Sequence, residues 1–230
     1  MTILIARHLF QKMSNVTLYS HDISPPCRAV LMTAHAIGLK LNIHEINLLN
    51  QDHYSEKYTK INPQQSIPAM DDNGFFLTDS HAINCYLVGK YAKDDSLYPK
   101  DLQKRALVDQ FLYLDAGLLF YNAKNIVKPI FQQRTKTVPE EKMERINEGF
   151  DQLNKLLEGK KWLVGDSYTL ADICCVATAS SSTLIVNIDN YPNVKAWLQT
   201  CEKELPGYKE CNATGDAKFK TIVRSMMSAK

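Results

Sequence analysis

Short apolar runs and helical spacings alternate in the first part of the chain, which predicts an α/β arrangement. Residues 16–19 combine β-branched and aromatic side chains with leucine, a composition that favours a strand. Two prolines at positions 25 and 26 suit the first turn of a helix, whose apolar positions recur at helical spacing until Gly38. Apolar and polar residues alternate again over 41–48, so we expect a second strand there.

A hairpin and another helix are predicted next. Residues 50–60 are polar and favour a short, irregular helix. Asn73-Gly74 lies between two apolar runs, and this dipeptide favours a type I′ hairpin turn because both central residues there need positive φ. Asp79-Ser80 then caps a helix with one apolar side. The order βαβαββα, with a parallel first pair and a closing hairpin, fits a small α/β domain over residues 14–92.

The rest of the chain has helical patterns only. A long amphipathic stretch covers 102–132, and we expect Pro129 near its end to kink or stop the helix. Further helices are predicted over 139–157, from Thr169 to about residue 184, and over 192–205. Thr169 and Asp172 have the spacing of a capping box, so we interpret both as structural. An all-helical domain is therefore expected over 102–230, after a polar linker at 93–101.

Composition narrows the functional classes. The 230 residues carry a net charge of only +2 and no clustered basic stripe, so nothing favours a nucleic-acid partner. Six scattered cysteines without a C-x-x-C pair fit neither a disulfide framework nor a zinc site, which predicts a reducing, cytoplasmic environment and no metal. The apolar runs are too short for a membrane span. Residues 1–13 are expected to form an N-terminal extension, with disorder as one interpretation and Met13 as an alternative start.

Ser24 lies where the first predicted strand gives way to a helix. The free backbone N–H groups and the positive dipole end of a helix N-terminus suit an anion such as a thiolate. An ordinary capping serine is the simpler alternative for a single Ser-Pro pair.

Pro68 follows Ile67 within an apolar run, where proline removes a hydrogen-bond donor from a strand. Either an edge position or a cis peptide bond would explain it, and the residues alone do not separate the two. A cis bond would leave the backbone N–H and C=O of Ile67 free to pair with an extended peptide.

Five segments together resemble the cytosolic glutathione transferases, most of all the insect epsilon class and next the delta class. The resemblance covers about residues 15–210 and rests on Ser24-Pro-Pro-Cys-Arg, Asn62-Pro-Gln-Gln-Ser-Ile-Pro68, Asp71-Asp-Asn-Gly, Asp79-Ser-His-Ala-Ile83 and Thr169-Leu-Ala-Asp172. It implies a thioredoxin-like N-terminal domain, an all-helical C-terminal domain, a homodimer, and conjugation of glutathione, as co-substrate, to small hydrophobic electrophiles. Ser24 would then favour the glutathione thiolate, and Cys27 is more plausibly a buried packing residue than a redox centre.

The resemblance also assigns the remaining glutathione contacts. Ile67, before a cis Pro68, would pair its backbone with the cysteinyl part, and Ser66 lies beside it. Asp79 would hold the γ-glutamyl amino group and Ser80 its carboxylate, while His53 would meet the glycyl carboxylate. Gln65 stands where the family usually has histidine. Because glutamine adds no positive charge, we expect glutathione binding to be weaker but not lost.

The electrophile is expected between the domains, against Ile23, Pro25, Phe120, Tyr121, Lys124 and Phe219. Lys124 stands where the epsilon pattern often supplies arginine and keeps the charge without the bidentate fork. His81 is a candidate for the dimer interface. A non-catalytic carrier of hydrophobic ligands and a regulatory protein on the same fold are the alternatives, and Gln65 slightly favours the carrier. The physiological electrophile is not predicted.

Overall fold

A mixed four-stranded sheet and an all-helical half make up the computed structural model, which describes residues 12–228. The strands are β1 (Lys12–Ser20), β2 (Leu39–Glu45), β3 (Ala69–Asp72) and β4 (Phe75–Thr78), in the spatial order β2-β1-β3-β4. β1 pairs parallel with β2 and antiparallel with β3, and β3 pairs antiparallel with β4. The predicted parallel pair and closing hairpin are confirmed.

Helices pack on this sheet and form the second half. Those of the first half are α1 (Pro25–Ala36), the short α2 (Glu56–Thr59) and α3 (Ser80–Tyr91). The second half contains α4 (Leu102–Leu114), α5 (Phe120–Phe131), α6 (Glu140–Leu156), α7 (Leu170–Ser182), α8 (Pro192–Glu204) and α9 (Thr214–Ser228). Over residues 12–228, no helix combines the length and the apolar character that a membrane crossing requires.

The predicted boundaries differ from the structure at three places. β1 begins at Lys12, so the last two residues of the predicted 1–13 extension belong to a strand, while 1–11 lie outside the described residues. β2 covers Leu39–Glu45 rather than 41–48, because its partner β1 ends at Ser20, opposite Glu45. α9 follows residue 205, where the hydrophobic pattern singled out no helix.

The long helix predicted over 102–132 is interrupted. A wide, π-type turn at Asp115–Leu119 separates α4 from α5 and buries both of its end residues. Pro129 lies inside α5, which continues to Phe131 before it ends. The break therefore comes well before the proline, because hydrophobic spacing does not distinguish a widened turn from a regular one.

Local sequence signals explain the other element ends. Asn73 and Gly74 both have positive φ, of 55° and 90°, as the hairpin turn requires. At the start of α7, Thr169 accepts a hydrogen bond from the Ala171 amide and Asp172 accepts one from the Thr169 amide. The buried Asp172 also accepts hydrogen bonds from the Leu163 amide and the Trp197 indole, at 3.0 and 2.9 Å. These contacts support its predicted structural role.

The interface between the two halves contains a fully buried arginine, Arg28 of α1. Its guanidinium donates to the carbonyl oxygens of Ile23 and Ala177, at 3.0 and 3.3 Å, and to the side chain of Asn212 at 2.9 Å. It also contacts Ser181 and lies 3.4 Å from the Asp216 carboxylate. One side chain therefore connects α1 to α7, α9 and the turn between α8 and α9.

Replacing Arg28 with glutamine should destabilise the fold. The variant leaves several buried carbonyl oxygens without their donor and removes the guanidinium from Asp216, which keeps Ser181 and Lys220 as partners. Breaking a buried pair typically costs about 3–5 kcal/mol when the other charge is left unpaired, so we expect a loss below that range. Urea unfolding of the wild type and Arg28→Gln would measure the difference. The matched control is Arg224→Gln, which removes an exposed arginine of α9 and should change stability little. Equal stability of the two variants would contradict the role assigned to Arg28.

Candidate functional site

A cleft of about 890 Å³ lies between the two halves of the chain. Every residue that the sequence assigned to glutathione or to the electrophile lines it: Ile23, Ser24, Pro25, His53, Gln65, Ser66, Ile67, Pro68, Asp79, Ser80, Phe120, Tyr121, Lys124 and Phe219. One wall comes from the sheet domain and the other chiefly from α5 and α7. The fold thus brings the predicted residues together, while their individual roles stay predictions.

Ser24 occupies the N-cap position of α1 and is nearly buried, with 8% of its surface exposed. Its side chain makes no capping hydrogen bond to the helix. The side chain of a serine that only capped the helix would accept a hydrogen bond from an amide of the first turn. The Ser24 hydroxyl is therefore not used for capping; it lies at the cleft wall, within hydrogen-bond reach of the Cys27 thiol.

The first turn of α1 offers fewer amides than its helix N-terminus suggests. Pro25 and Pro26 carry no N–H group, and the Arg28 amide donates to the Ser24 carbonyl oxygen. Our expectation of several free N–H groups was therefore wrong for this helix. An anion beside Ser24 would depend on the serine hydroxyl and the helix dipole more than on backbone donors.

Cys27 lies one turn into α1 and is fully buried. Burial raises the pKa of its thiol, and this effect outweighs the hydrogen bond from Ser24. The thiol therefore stays protonated at neutral pH. This environment agrees with a packing role and is unlike that of a reactive cysteine.

The loop before β3 is held from behind by two buried side chains. Tyr58 and Asn62 each donate to the Ser66 carbonyl oxygen at 2.7 Å. The Ile67–Pro68 peptide bond is cis, one of the two alternatives left open by the residues. Gln65 is exposed and has a φ of 54°, so it projects from a tightly turned part of this loop.

Asp79 and His81 form a connected polar group at the start of α3. The Asp79 carboxylate accepts hydrogen bonds from the amides of His81 and Ala82, at 2.9 and 3.2 Å. The His81 ring lies between two carboxylates, with Nδ1 3.6 Å from Asp79 and Nε2 2.9 Å from Asp115. Burial of the ring opposes protonation, but the hydrogen bonds to Asp115 and Asp79 outweigh it and raise the pKa of His81 to about 9. His81 is thus an imidazolium at neutral pH.

This internal contact gives His81 a role that the sequence did not suggest. The ring pairs with Asp115 of the same chain and also lines the cleft. Its place in a dimer interface stays a prediction.

His53 lines the cleft from the loop between β2 and α2. Burial lowers its pKa, and the nearby charge of Lys128 lowers it further, against a weaker effect of Asp52. His53 is therefore a neutral hydrogen-bond donor at neutral pH. Lys128, on α5, lines the same cleft.

The wall of the cleft formed by α5, α7 and α9 is largely apolar and also carries Lys124 and Lys128. Phe131 and Phe219 stack with ring centroids 6.2 Å apart, and the half-buried Phe120 lies on the same helix as Phe131. Other cleft residues were not singled out from the sequence: Leu48, Tyr54, Val127, Lys128, Phe131, Thr178, Ser181, Ser182 and Ile185. Lys128 and Phe131 follow Lys124 by four and seven positions, so helical periodicity alone would have revealed them. The α7 residues carry no such signal, because that helix is buried on all sides.

Comparison with known proteins agrees with this architecture. The family model for the glutathione S-transferase N-terminal domain matches residues 18–95, and that for the C-terminal domain matches residues 110–204. A glutathione S-transferase 1 from Manduca sexta is 42% identical over 217 residues, which is 93% of this chain and 99% of the relative. The chain belongs to the glutathione S-transferase family.

Solved structures support the same assignment. An epsilon-class glutathione S-transferase from the housefly Musca domestica has 39% identity and a TM-score of 0.87, over 92% of this chain and 98% of that one. A delta-class enzyme from Nilaparvata lugens has 37% identity and a TM-score of 0.86, over 92% and 99% of the two chains. A homologue from Drosophila mojavensis with bound glutathione has 39% identity and a TM-score of 0.85, over 92% and 97%. The protein is a glutathione transferase, and insect delta and epsilon enzymes are among its relatives.

The His81 ion pair should make stability depend on pH. Since the folded-state pKa of about 9 exceeds the ordinary value of about 6.5, the stabilisation is complete below pH 6.5 and is lost as pH rises through 9. Wild type should have a larger free energy of unfolding than His81→Gln. We expect this difference between the two proteins to be larger at pH 6.5 than at pH 9.5, by up to about 3 kcal/mol. Urea unfolding of both proteins at the two pH values tests this. A difference that stays constant between them would refute it.

Proposed function

We propose that Ser24 stabilises the thiolate of bound glutathione, which then attacks small hydrophobic electrophiles held against α5 and α9. The observation that carries the proposal is that the Ser24 hydroxyl makes no capping hydrogen bond and lies at the cleft wall. The start of α1 beside it offers few backbone N–H donors. A thiol is a weak nucleophile until it loses its proton, so a donor to the sulfur lowers the thiol pKa and raises the reactive fraction.

The rest of the tripeptide fits the sheet-domain wall. The Asp79 carboxylate would meet the γ-glutamyl amino group, and Ser80, at the start of α3, its carboxylate. The Ile67 backbone, beside the loop that Tyr58 and Asn62 hold at Ser66, would pair with the cysteinyl part. His53 and Gln65 would meet the glycyl carboxylate, with Lys128 adding charge from across the cleft.

The finer classification is also a proposal. The five motifs favour the epsilon class over the delta class, whereas the housefly epsilon enzyme and the Nilaparvata lugens delta enzyme are about equally similar to this chain. We propose a homodimer, because exposed apolar side chains occur on the hairpin and α4: Phe75 and Phe76 are 48% and 50% exposed, and Leu102 and Tyr113 are 79% and 78% exposed. Six free cysteines support a reducing, cytoplasmic compartment.

Replacing Ser24 with alanine tests the central role. We expect kcat/KM for glutathione and a chlorodinitrobenzene to fall tenfold or more, equivalent to about 1.4 kcal/mol or more of barrier. The pKa of bound glutathione, read from thiolate absorbance, should rise in the same variant. Stability should change little, because the hydroxyl makes no capping bond.

Cys27→Ala is the matched comparison for Ser24→Ala. The folded Cys27→Ala variant should retain conjugation activity, since the buried, protonated thiol of Cys27 in wild type does not line the cleft. Unchanged activity in Ser24→Ala, with loss in Cys27→Ala at equal folded fraction, would overturn the assignment of Ser24.

Restoring histidine at position 65 should tighten glutathione binding. Gln65→His adds a donor that carries positive charge when protonated, so we expect about a threefold lower Kd at pH 6 and a smaller gain at pH 8. Calorimetric titration with glutathione measures both values. Gln133→His is the matched control, because Gln133 also has positive φ but does not line the cleft. Equal affinities of Gln65→His and wild type at both pH values would contradict the proposal.

A further inference from the structure

The α5 wall of the cleft, where we propose that the electrophile binds, carries a lysine, Lys124, whose positive charge has no acidic partner among the described residues. Lys124 is exposed on α5 and lines the cleft, with Phe120 one helical turn before it and Lys128 one turn after it. Within residues 12–228, no carboxylate lies within ion-pair distance of Lys124. A lysine that stabilised the fold through an ion pair would have such a partner.

The cleft offers Lys124 no acidic partner either. Among the described residues that line it, Asp79 carries the only carboxylate, and that group already accepts two amide hydrogen bonds beside the His81 ring. Arg134, three residues beyond the end of α5, adds another positive charge to the lining. The potential on the α5 side of the cleft is therefore positive.

Bound glutathione would interact with Lys128 and would leave Lys124 without a partner. Its glycyl carboxylate belongs near His53, whose pKa is sensitive to Lys128. Lys124 lies one turn closer to Phe120 and Tyr121, on the wall from which an electrophile approaches the sulfur beside Ser24. Phe120 and Tyr121 lie one turn before Lys124, and the stacked rings of Phe131 and Phe219 line the same cleft.

We propose that Lys124 anchors an anionic group of the second substrate, so that the enzyme favours apolar electrophiles that bear a carboxylate. The aromatic wall would bind the apolar body and the lysine its carboxylate. This inference rests on the proposed function and adds the chemical class of the electrophile. In this arrangement Lys124 binds the electrophile, whereas Lys128 interacts with glutathione.

A pair of probes that differ only in charge tests this inference. A chlorodinitrobenzoate and its uncharged carboxamide react in the same way: the glutathione sulfur forms a bond to the ring carbon that bears chlorine. The carbon–chlorine bond then breaks, chloride leaves with the electron pair, and the thiol proton passes to solvent. Each kcat/KM is divided by the uncatalysed rate constant with glutathione, which removes the intrinsic reactivity of the probe.

We expect wild type to accelerate the benzoate more than the carboxamide. Lys124→Gln should lower kcat/KM for the benzoate about fivefold, as expected for loss of a contact between opposite charges in a wet cleft, and should lower it clearly less for the carboxamide. Lys124→Arg should retain the preference because it keeps the charge. Added salt should reduce the benzoate-to-carboxamide ratio in wild type and not in Lys124→Gln.

Two further variants serve as controls. Lys155→Gln removes an exposed charge on α6 that does not line the cleft, and it should leave both probes unaffected. Lys128→Gln should raise KM for glutathione equally with both probes. The same pattern in Lys124→Gln would mean that Lys124 also serves glutathione, and it would overturn the inference.

Failure of the inference is distinguishable from failure of the proposed function. Efficient conjugation of both probes without preference for the benzoate, or an equal loss on both in Lys124→Gln, refutes the anion anchor and leaves the enzyme intact. Absence of catalysed conjugation with either probe in wild type contradicts the proposed function and the anchor together.

Discussion

The buried guanidinium of Arg28 connects the sheet domain to the helical domain, and the geometry of the cleft depends on it. Besides Asn212 and Ser181 on the helical side, it holds the carbonyl oxygens of Asp22 and Ile23, the two residues before Ser24. A Cβ at Gly215 would collide with the Asp22 carbonyl oxygen, so glycine there permits this close approach. The segment that presents Ser24 is thus fixed from the opposite domain.

The two walls of the cleft are built from different parts of the chain. The sheet-domain wall presents backbone and short side chains at element ends, such as the Ser24 and Asp79 cap positions, and amide hydrogen bonds at the start of α3 hold Asp79 in place. The opposite wall consists of side chains on the faces of α5, α7 and α9. The exposed side chains of α5, such as Tyr121 and Lys124, can change without disturbing the fold, whereas the α7 side chains in the cleft are buried. The His81–Asp115 pair joins the walls at the start of α3.

Much of the fold could be predicted, because local signals were strong. Proline at the start of α1, Asn73-Gly74 in the hairpin and Thr169 before α7 each act through their own backbone geometry, and each element formed where expected. The errors came from contacts distant in sequence. β2 stops where its partner β1 ends, and the wide turn at Asp115–Leu119 lies against α6 and α7.

The sequence by itself determined the order of most elements, the family and many of the residues that meet in the cleft, because motifs and periodicity depend on neighbours along the chain. Only the tertiary structure decided how these residues are paired. It placed His81 against Asp115, left the Ser24 hydroxyl without a capping bond, and left Lys124 without an acidic partner among the described residues. Charge and hydrogen bonding depend on distances across the domain interface, and those distances exist only once both domains have packed around Arg28.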